Sequence, residues 1–444
     1  MSHLFPPPQP SPLSRLSTED GLLLNAERWQ CAHEYHRQRQ NLHYQSINQP
    51  GIVCGLGVSV ISAPDNIPAQ YRDERWIVIQ SGIAIDLIGN PIVVAKPIEF
   101  RIASEAKDRP LLVYIVISYV DPEKLHRQQM QYILEETFRI DEKTSPPSQL
   151  EVELCRILLL PGQVKLAAAA NVFSPLANQI DLCHRQTAMP RPRGTVKVSI
   201  VLENSPDDAK HLSRFSDLIQ SIPGLYPAMQ GVEEIGELSL EVDRQQLFDY
   251  DLIFLNYQKF IDLTESELET LQTYHDWGGL ILVEFANGNS PLVEQTTVKE
   301  ELQIMLDNLP ETLETTAMRQ KIQAEIEAIA NTLDQQMERV HSRFKQSATK
   351  IVNIDAEPGT ITQHHPLRKK PFLFGRFPSV AGQEIQIFNW EGIVLIIGDL
   401  SIAWGLEQLK LPRETIRTSQ EMGINILQFA WQRRQLMELQ KIGS

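Results

Sequence analysis

The sequence predicts an α+β chain of several domains. An N-terminal helix with an antiparallel β-sandwich or barrel comes first, then an α/β domain that carries a long helical hairpin as an insertion. Three observations predict this. The chain has 444 residues, beyond the ~250–300 at which a single hydrophobic core stops growing. Short β-branched and aliphatic runs, separated by turn residues, fill the stretch from Val58 to Leu160, which is the pattern of antiparallel strands. From Thr195 onward strand-like runs alternate with capped helical segments, as in a parallel sheet covered on both faces.

Composition sets the outer bounds. At 42% hydrophobic and 22% charged residues the chain is a folded globular protein. Its 41 Lys and Arg against 56 Asp and Glu give a net charge of -15, so no excess of cations is available to displace counterions from a phosphate backbone, and nucleic acid is not expected as a partner. Cys31, Cys54, Cys155 and Cys183 lie far apart and form no CxxC pair. Free thiols in a reducing compartment are expected, not a disulfide scaffold or zinc ribbon. The N-terminus lacks a basic segment followed by an apolar one. The longest apolar run, Leu111 to Val120, is too short to span a bilayer and is broken by Ser118. The expectation is a soluble, cytoplasmic chain that reaches any membrane only through partners.

Residues 1–19 are a Pro-rich arm, with five prolines in the first twelve residues that no helix or central strand accommodates. It reads as a flexible arm or as a segment that docks on a partner. A helix is predicted over 25–47, with Asn25 as N-cap and Ala26, Trp29, His33, His36, Gln40 and His43 at helical spacing. Gly51, Gly55 and Gly57 end it. Strands are predicted at Val58–Ile61, Trp76–Ile79, Ile83–Leu87, Ile92–Val94, Leu111–Tyr119 and Glu153–Leu160, and Met130–Ile140 fits strand or helix. Together these make a helix-plus-β domain over 20–163. Residues 164–194 are read as a linker that ends in the breaker Pro190-Arg191-Pro192-Arg193-Gly194.

The α/β domain is assigned to 195–289 and 351–444. Val196–Leu202 is a strand, and Ser205-Pro206-Asp207-Asp208 combines an N-cap, a proline at the first helical position and acids in the first turn, opening a helix to Ser221. Strands follow at Leu238–Val242 and Leu252–Tyr257. Thr264-Glu265-Ser266-Glu267 is a capping box whose helix runs to Trp277 and stops at Gly278-Gly279. Leu280–Phe285, Ile385–Phe388 and Ile393–Ile397 are strands, and Arg413–Ile442 is mostly helix. This is a flavodoxin-like layer architecture. The insertion, residues 290–350, carries Met318, Ile322, Ile326, Ile329, Leu333, Met337, Val340 and Phe344 at steps of three or four. Such a seam of near-heptad period must be covered, by the hairpin's own first helix or by another chain, including a second copy. Ile322, Ile326, Ile329, Leu333, Met337 and Val340 are therefore the candidate interface residues.

Candidate chemistry is sparse. His33, His36 and His43 share a helical face near Cys31, but Arg37 and Arg39 crowd it and carboxylates are few, so packing is the expected role and no metal is expected. His364-His365-Pro366 precedes Arg368-Lys369-Lys370, which repel a cation. The turn after the first α/β strand is acidic instead of Gly-rich, so no nucleotide cofactor is expected. The turns after Leu252–Tyr257 and Leu280–Phe285 lack a nucleophile elbow, and no cysteine follows Cys183. Glu284 and Asp399 end strands where an α/β site lies; caps or turn formers are the ordinary reading, catalysis the alternative. Trp390, Trp404 and Trp431 read as core or interface aromatics.

Two stretches resemble known families. Asp20-Gly21-Leu22-Leu23-Leu24, Glu34-Tyr35-His36-Arg37, Leu42-His43, Gly51 to Val58, Ser81 to Asp86 and Gly89 to Val94 resemble the N-terminal region of bacterial proteins encoded with phage-tail-like contractile injection systems. Val196–Leu202, Tyr250 to Phe254, Leu268 to Leu282, His365-Pro366-Leu367 and Trp390-Glu391-Gly392 resemble a class I glutamine amidotransferase-like domain without its cysteine. The second resemblance implies a fold and no activity. The first implies a structural subunit of a contractile injection particle, at or near its baseplate, with other particle subunits as partners. A hydrolase or amidotransferase-like enzyme using Glu284, Asp399 or His365, and a carbohydrate-binding adaptor built on the β domain, are the alternatives.

Overall fold

The computed structural model describes residues 11–122, 135–162, 165–203, 205–240, 245–286, 291–310, 315–352, 359–405 and 411–441. The chain divides into two compact units, one ending at Arg191 and one beginning at Pro192 apart from the first two residues.

The first unit opens with α1 (Ala26–Ile47), which starts where the Asn25 side chain accepts a hydrogen bond from the Arg28 backbone N–H at 2.9 Å. Its strands are β1 (Gly51–Gly55), β2 (Val58–Ile61), β3 (Trp76–Ile79), β4 (Gly82–Ile85), β5 (Pro91–Val94), β6 (Ile98–Arg101), β7 (Leu111–Val120), β8 (Thr137–Lys143), β9 (Glu151–Leu159) and β10 (Ile180–Asp181). They form three antiparallel sheets, ordered β1-β4-β5, β2-β3-β6 and β10-β9-β7-β8. One core holds them, including Ile77, Ile79, Ile92, Ile115, Ile117, Leu154 and Ile157; each such side chain contributes about 1.5–3 kcal/mol by leaving water. None of α1 is buried. Polar contacts attach the helix, among them Arg37 to Asp121 at 3.3 Å and the Gln45 amide to the Ile88 carbonyl.

Residues 165–191, expected to be a linker, belong to this unit. β10 pairs with β9, Leu166 and Ile180 enter the core, and the backbone of Gln186 to Arg191 bonds to Ile47, Gln49 and Ile52. The composition misleads because ordering comes from long-range backbone pairing, which leaves no periodicity in the sequence.

The second unit contains β11 (Gly194–Val196), β12 (Val198–Val201), α2 (Asp208–Leu225), β13 (Met229–Gly231), β14 (Gly236–Leu238), β15 (Leu252–Asn256), α3 (Tyr257–Ile261), α4 (Glu265–Asp276), β16 (Leu280–Phe285), α5 (Pro291–Asn308), α6 (Thr316–Val352), β17 (Gly359–Thr360), α7 (Pro366–Lys369), β18 (Ser379–Val380), β19 (Gln383–Glu384), β20 (Gln386–Trp390), β21 (Ile393–Ile397) and α8 (Arg413–Lys441). A seven-stranded sheet runs β14-β12-β15-β16-β21-β20-β17. Its first five strands are mutually parallel, β20 runs antiparallel to β21, and β17 runs antiparallel to β20. Trp390 pairs with Ile393 across a two-residue loop, Glu391 at φ 45° and Gly392 at φ 113°. Two positive φ values are what a type I′ hairpin needs, hence the glycine.

Alternation along the strands makes two cores. Val198, Ile200, Leu252, Phe254, Leu280, Leu282, Val394 and Ile396 pack with Phe215 and Leu218 of α2 and Met422 and Leu427 of α8. Ile253, Leu255, Ile281, Val283, Ile393 and Leu395 pack with Phe260 of α3, Tyr274 of α4 and Phe344 and Ile351 of α6. The sheet is thus covered on both faces. At its rim Gly194 leaves room for an indole: a Cβ there would fall 2.1 Å from Cε2 of Trp431.

Two expectations are adjusted. α2 begins at Asp208, not at Pro206, because the Asp208 carboxylate turns back to accept from the Glu203 and Ser205 backbone N–H groups at 3.1 and 3.0 Å. The Leu238–Val242 strand is seen as Gly236–Leu238, and residues 241–244 lie outside the described residues, as do residues 130–134 of the Met130–Ile140 segment, whose end enters β8.

Candidate functional site

Parallel strands of an α/β sheet place their carboxyl ends on one edge, and Glu284 sits there, at the penultimate position of β16. Leu280 and Leu282 set the face it shares, the one covered by α2 and α8. Its Oε1 accepts the Ser401 backbone N–H at 2.8 Å, while its Oε2 is buried with no hydrogen-bond partner. Burial pushes the carboxyl up to about 7, against the pull of the Ser401 hydroxyl and N–H and of Arg214; Asp399 adds to the rise. Arg214 Nη1 donates to Ser401 Oγ at 3.2 Å. On the preceding turn of α2, the His211 ring lies 4.8 Å from that of Phe254, and its buried Nδ1 has no partner. Burial, with Arg214, lowers His211 to about 4.

An arginine, a serine and a carboxyl in sequence resemble a nucleophile with its base. Their accessibility argues otherwise: Glu284 is 3% exposed and Ser401 1%. The arrangement fastens the 3-10 turn Ser401–Trp404 to β16 and seats Trp404 against Phe215. Sequence position finds Glu284 and Asp399, but Ser401 and Arg214 lie too far along the chain for any spacing rule to join them.

His365 is also structural. Its Nδ1 accepts the Leu367 N–H at 3.2 Å as the cap of α7, and its Nε2 lies 3.1 Å from the Asn389 amide. His364 Nδ1 meets Lys369 Nζ at 3.0 Å. His33 and His36 line an open cleft of about 450 Å³ between α1 and the strands, with Asn41, Asn90, Tyr119 and Asp121. His43 and Cys31 are exposed and are not part of it. Among the described residues no three His, Cys, Asp or Glu side chains are placed to hold a metal ion.

The hairpin residues divide into three groups. Ile322 and Ile326 pack on Leu302 and Leu306 of α5. Met337 and Val340 pack on the sheet with Phe344. Ile329 and Leu333, between them, are half-buried. Ile322, Ile326 and Val340 are therefore covered within the chain and offer no free surface, because α6 is long enough to serve α5 with one half and the sheet with the other. Exposed apolar side chains lie elsewhere: Ile304 at 61% on the outer side of α5 and Met305 at 48% on its flank, Trp29 at 57% on α1, and Phe173 at 88% in a loop. Periodicity misses these, since it finds the covered stripe of a helix.

Residues 226–431 match a family described as "Domain of unknown function (DUF4159)". That match lies wholly in the second unit and takes in β15, β16, the hairpin and β21. A comparison with curated proteins gives no match. Among solved structures, one titled "Crystal structure of TssK" is similar at a TM-score of 0.23 and 10% identity, over 84% of this chain and 68% of that one. A similarity of that size carries no argument about this chain. No helix among the described residues is long and apolar enough to cross a membrane.

Proposed function

We propose that this chain is a structural subunit of a contractile, phage-tail-like injection particle, at or near the baseplate, and that it acts through protein–protein contacts. The observation that carries the reading is the hairpin: α5 and the first half of α6 cover each other through Leu302, Leu306, Ile322 and Ile326, while Ile304, opposite that stripe by helical spacing, and Met305, on its flank, stay exposed. An ordered helix pair with an apolar outer side has the form of a docking element. The residue pattern over 20–95 supplies the kind of assembly. We read the second unit as a flavodoxin-like, amidotransferase-like shell; its parallel strands run second, first, third, fourth and last in chain order, an order that fits this reading.

The test is incorporation. Ile304→Asp with Met305→Asp is expected to leave the isolated protein folded and to remove it from sheath-and-tube particles sedimented from cells. Normal incorporation of the folded variant would contradict the reading. A hydrolase using the Arg214–Ser401–Glu284 chain is the second reading, and the burial of Ser401 and Glu284 counts against it. Turnover of simple esters or amides, lost in both Ser401→Ala and Glu284→Gln, would establish it.

A further inference from the structure

We propose that the outward side of α5 docks a basic amphipathic helix of a neighbouring subunit, with Ile304 seated in its apolar stripe and Glu300, Glu301 and Asp307 paired with its Lys or Arg side chains. The inference rests on the reading of the hairpin as a docking element and names what docks there.

Helical geometry fixes what surrounds Ile304. Leu302 and Leu306 face α6, so the side of α5 away from them is centred on Ile304, which is 61% exposed. Residues at i±3 and i±4 share its face. These are Glu300, Glu301, Asp307 and Asn308, all exposed. Lys299 is the one Lys or Arg in α5, and the helical turn carries it round toward the α6 side instead. Arg319, at the start of α6, is committed to the carbonyls of Leu306 and Leu309.

The acids around Ile304 are not balanced from within. On other helices exposed carboxylates have a cationic partner on the same helix: Arg37 meets Glu34 at 2.6 Å, Arg417 meets Glu421 at 2.9 Å and Arg434 meets Glu438 at 3.1 Å. Glu300, Glu301 and Asp307 form no ion pair among the described residues. Asp307 accepts instead from the neutral Gln303 amide at 2.9 Å. An apolar knob flanked by charges is the arrangement of a paired helix, whose flanking charges set the choice of partner. Unbalanced carboxylates on both sides of Ile304 call for cations opposite them. They also disfavour a second copy, because two such faces would set acid against acid.

The test is fluorescence anisotropy of the full-length chain with a labelled amphipathic peptide of Leu and Lys at heptad spacing, beside the same peptide with Glu in place of Lys. The Lys peptide is expected to bind saturably and to weaken as salt rises. Ile304→Asp, and separately Glu300→Lys with Glu301→Lys, are each expected to weaken it by about tenfold. Glu135→Lys with Glu136→Lys makes the same change of charge on the first unit and is expected to leave binding unchanged. All these positions are exposed, so unchanged circular dichroism is expected, and the charge pair serves should Ile304→Asp misfold. The proposal is overturned if the Lys peptide does not bind, if the Glu peptide binds as well, if either folded hairpin variant binds like the wild type, or if the first-unit pair weakens binding as much. A wild-type dimer that Ile304→Asp splits in sedimentation equilibrium would also overturn it, since the occupant would then be a second copy. Particle sedimentation separates this proposal from the docking reading: loss of Ile304→Asp with retention of Glu300→Lys, Glu301→Lys keeps that reading and overturns the basic partner.

Discussion

Glu284 keeps its proton in the folded chain, with a value of about 7 against an ordinary 4.5. The folded state therefore holds a proton that the unfolded chain releases between these values, and stability falls as pH rises from about 4.5 to 7, then levels off. The effect is on the order of 3 kcal/mol. His211 acts in the opposite sense. Its folded value of about 4 lies below the ordinary 6.5, so its contribution is lost as pH falls through that interval and masks part of the Glu284 effect. Comparing the wild type with Glu284→Gln by calorimetry isolates the carboxyl: the variant is expected to gain in relative melting temperature from pH 5 to 8, and a constant difference would refute the assignment. The cysteines give a second residue-scale test. Burial pushes the Cys155 thiol far up, whereas Cys31, Cys54 and Cys183 are exposed. Iodoacetamide is expected to label those three under native conditions and to reach Cys155 only after unfolding, as peptide mass spectrometry would record. At this scale the sequence was a partial guide. It placed Glu284 at a strand end, but the burial that sets its chemistry depends on Ser401, 117 positions away.

Caps and strands were the most legible elements. Asn25 caps α1, and the Thr264–Glu267 box is closed on both sides, with Lys259 Nζ holding Glu267 at 2.6 Å. Such signals are local, so spacing alone reveals them. Thr264→Ala is expected to lower stability by about 1 kcal/mol in chemical denaturation, and no change would mean that the box is redundant with the Lys259 pair. β1 and β10 were not legible. β1 is glycine-bounded and β10 is two residues long, so both are set by their partners and not by propensity. In the hairpin the period was legible but not its coverage. Ile326→Asp would place a carboxylate against Leu302 and Leu306 and is expected to open the helix pair, with a loss of protection in hydrogen exchange over α5. Ile304→Asp, on the exposed side, is expected to leave that protection unchanged.

For the whole molecule, two units with separate cores carry three outward-facing features: the amide-lined cleft under α1, the apolar loop at Phe173 and the outer side of α5. The sheet edge, where an α/β enzyme would open to substrate, is closed over Glu284 and Ser401 in the described residues. Length and strand alternation made the organisation into two units readable, but the boundary was not, because the stretch before Pro192 folds into the first unit through backbone bonds that no composition announces. The measurement that bears most directly on the central claim is quantitative mass spectrometry of particles sedimented from cells that express either the wild-type chain or the Ile304→Asp, Met305→Asp variant. The account predicts a fixed stoichiometry relative to sheath and tube proteins for the wild type and depletion of the folded variant. A wild-type chain that stays in the supernatant as a monomer, with particles complete without it, would contradict it.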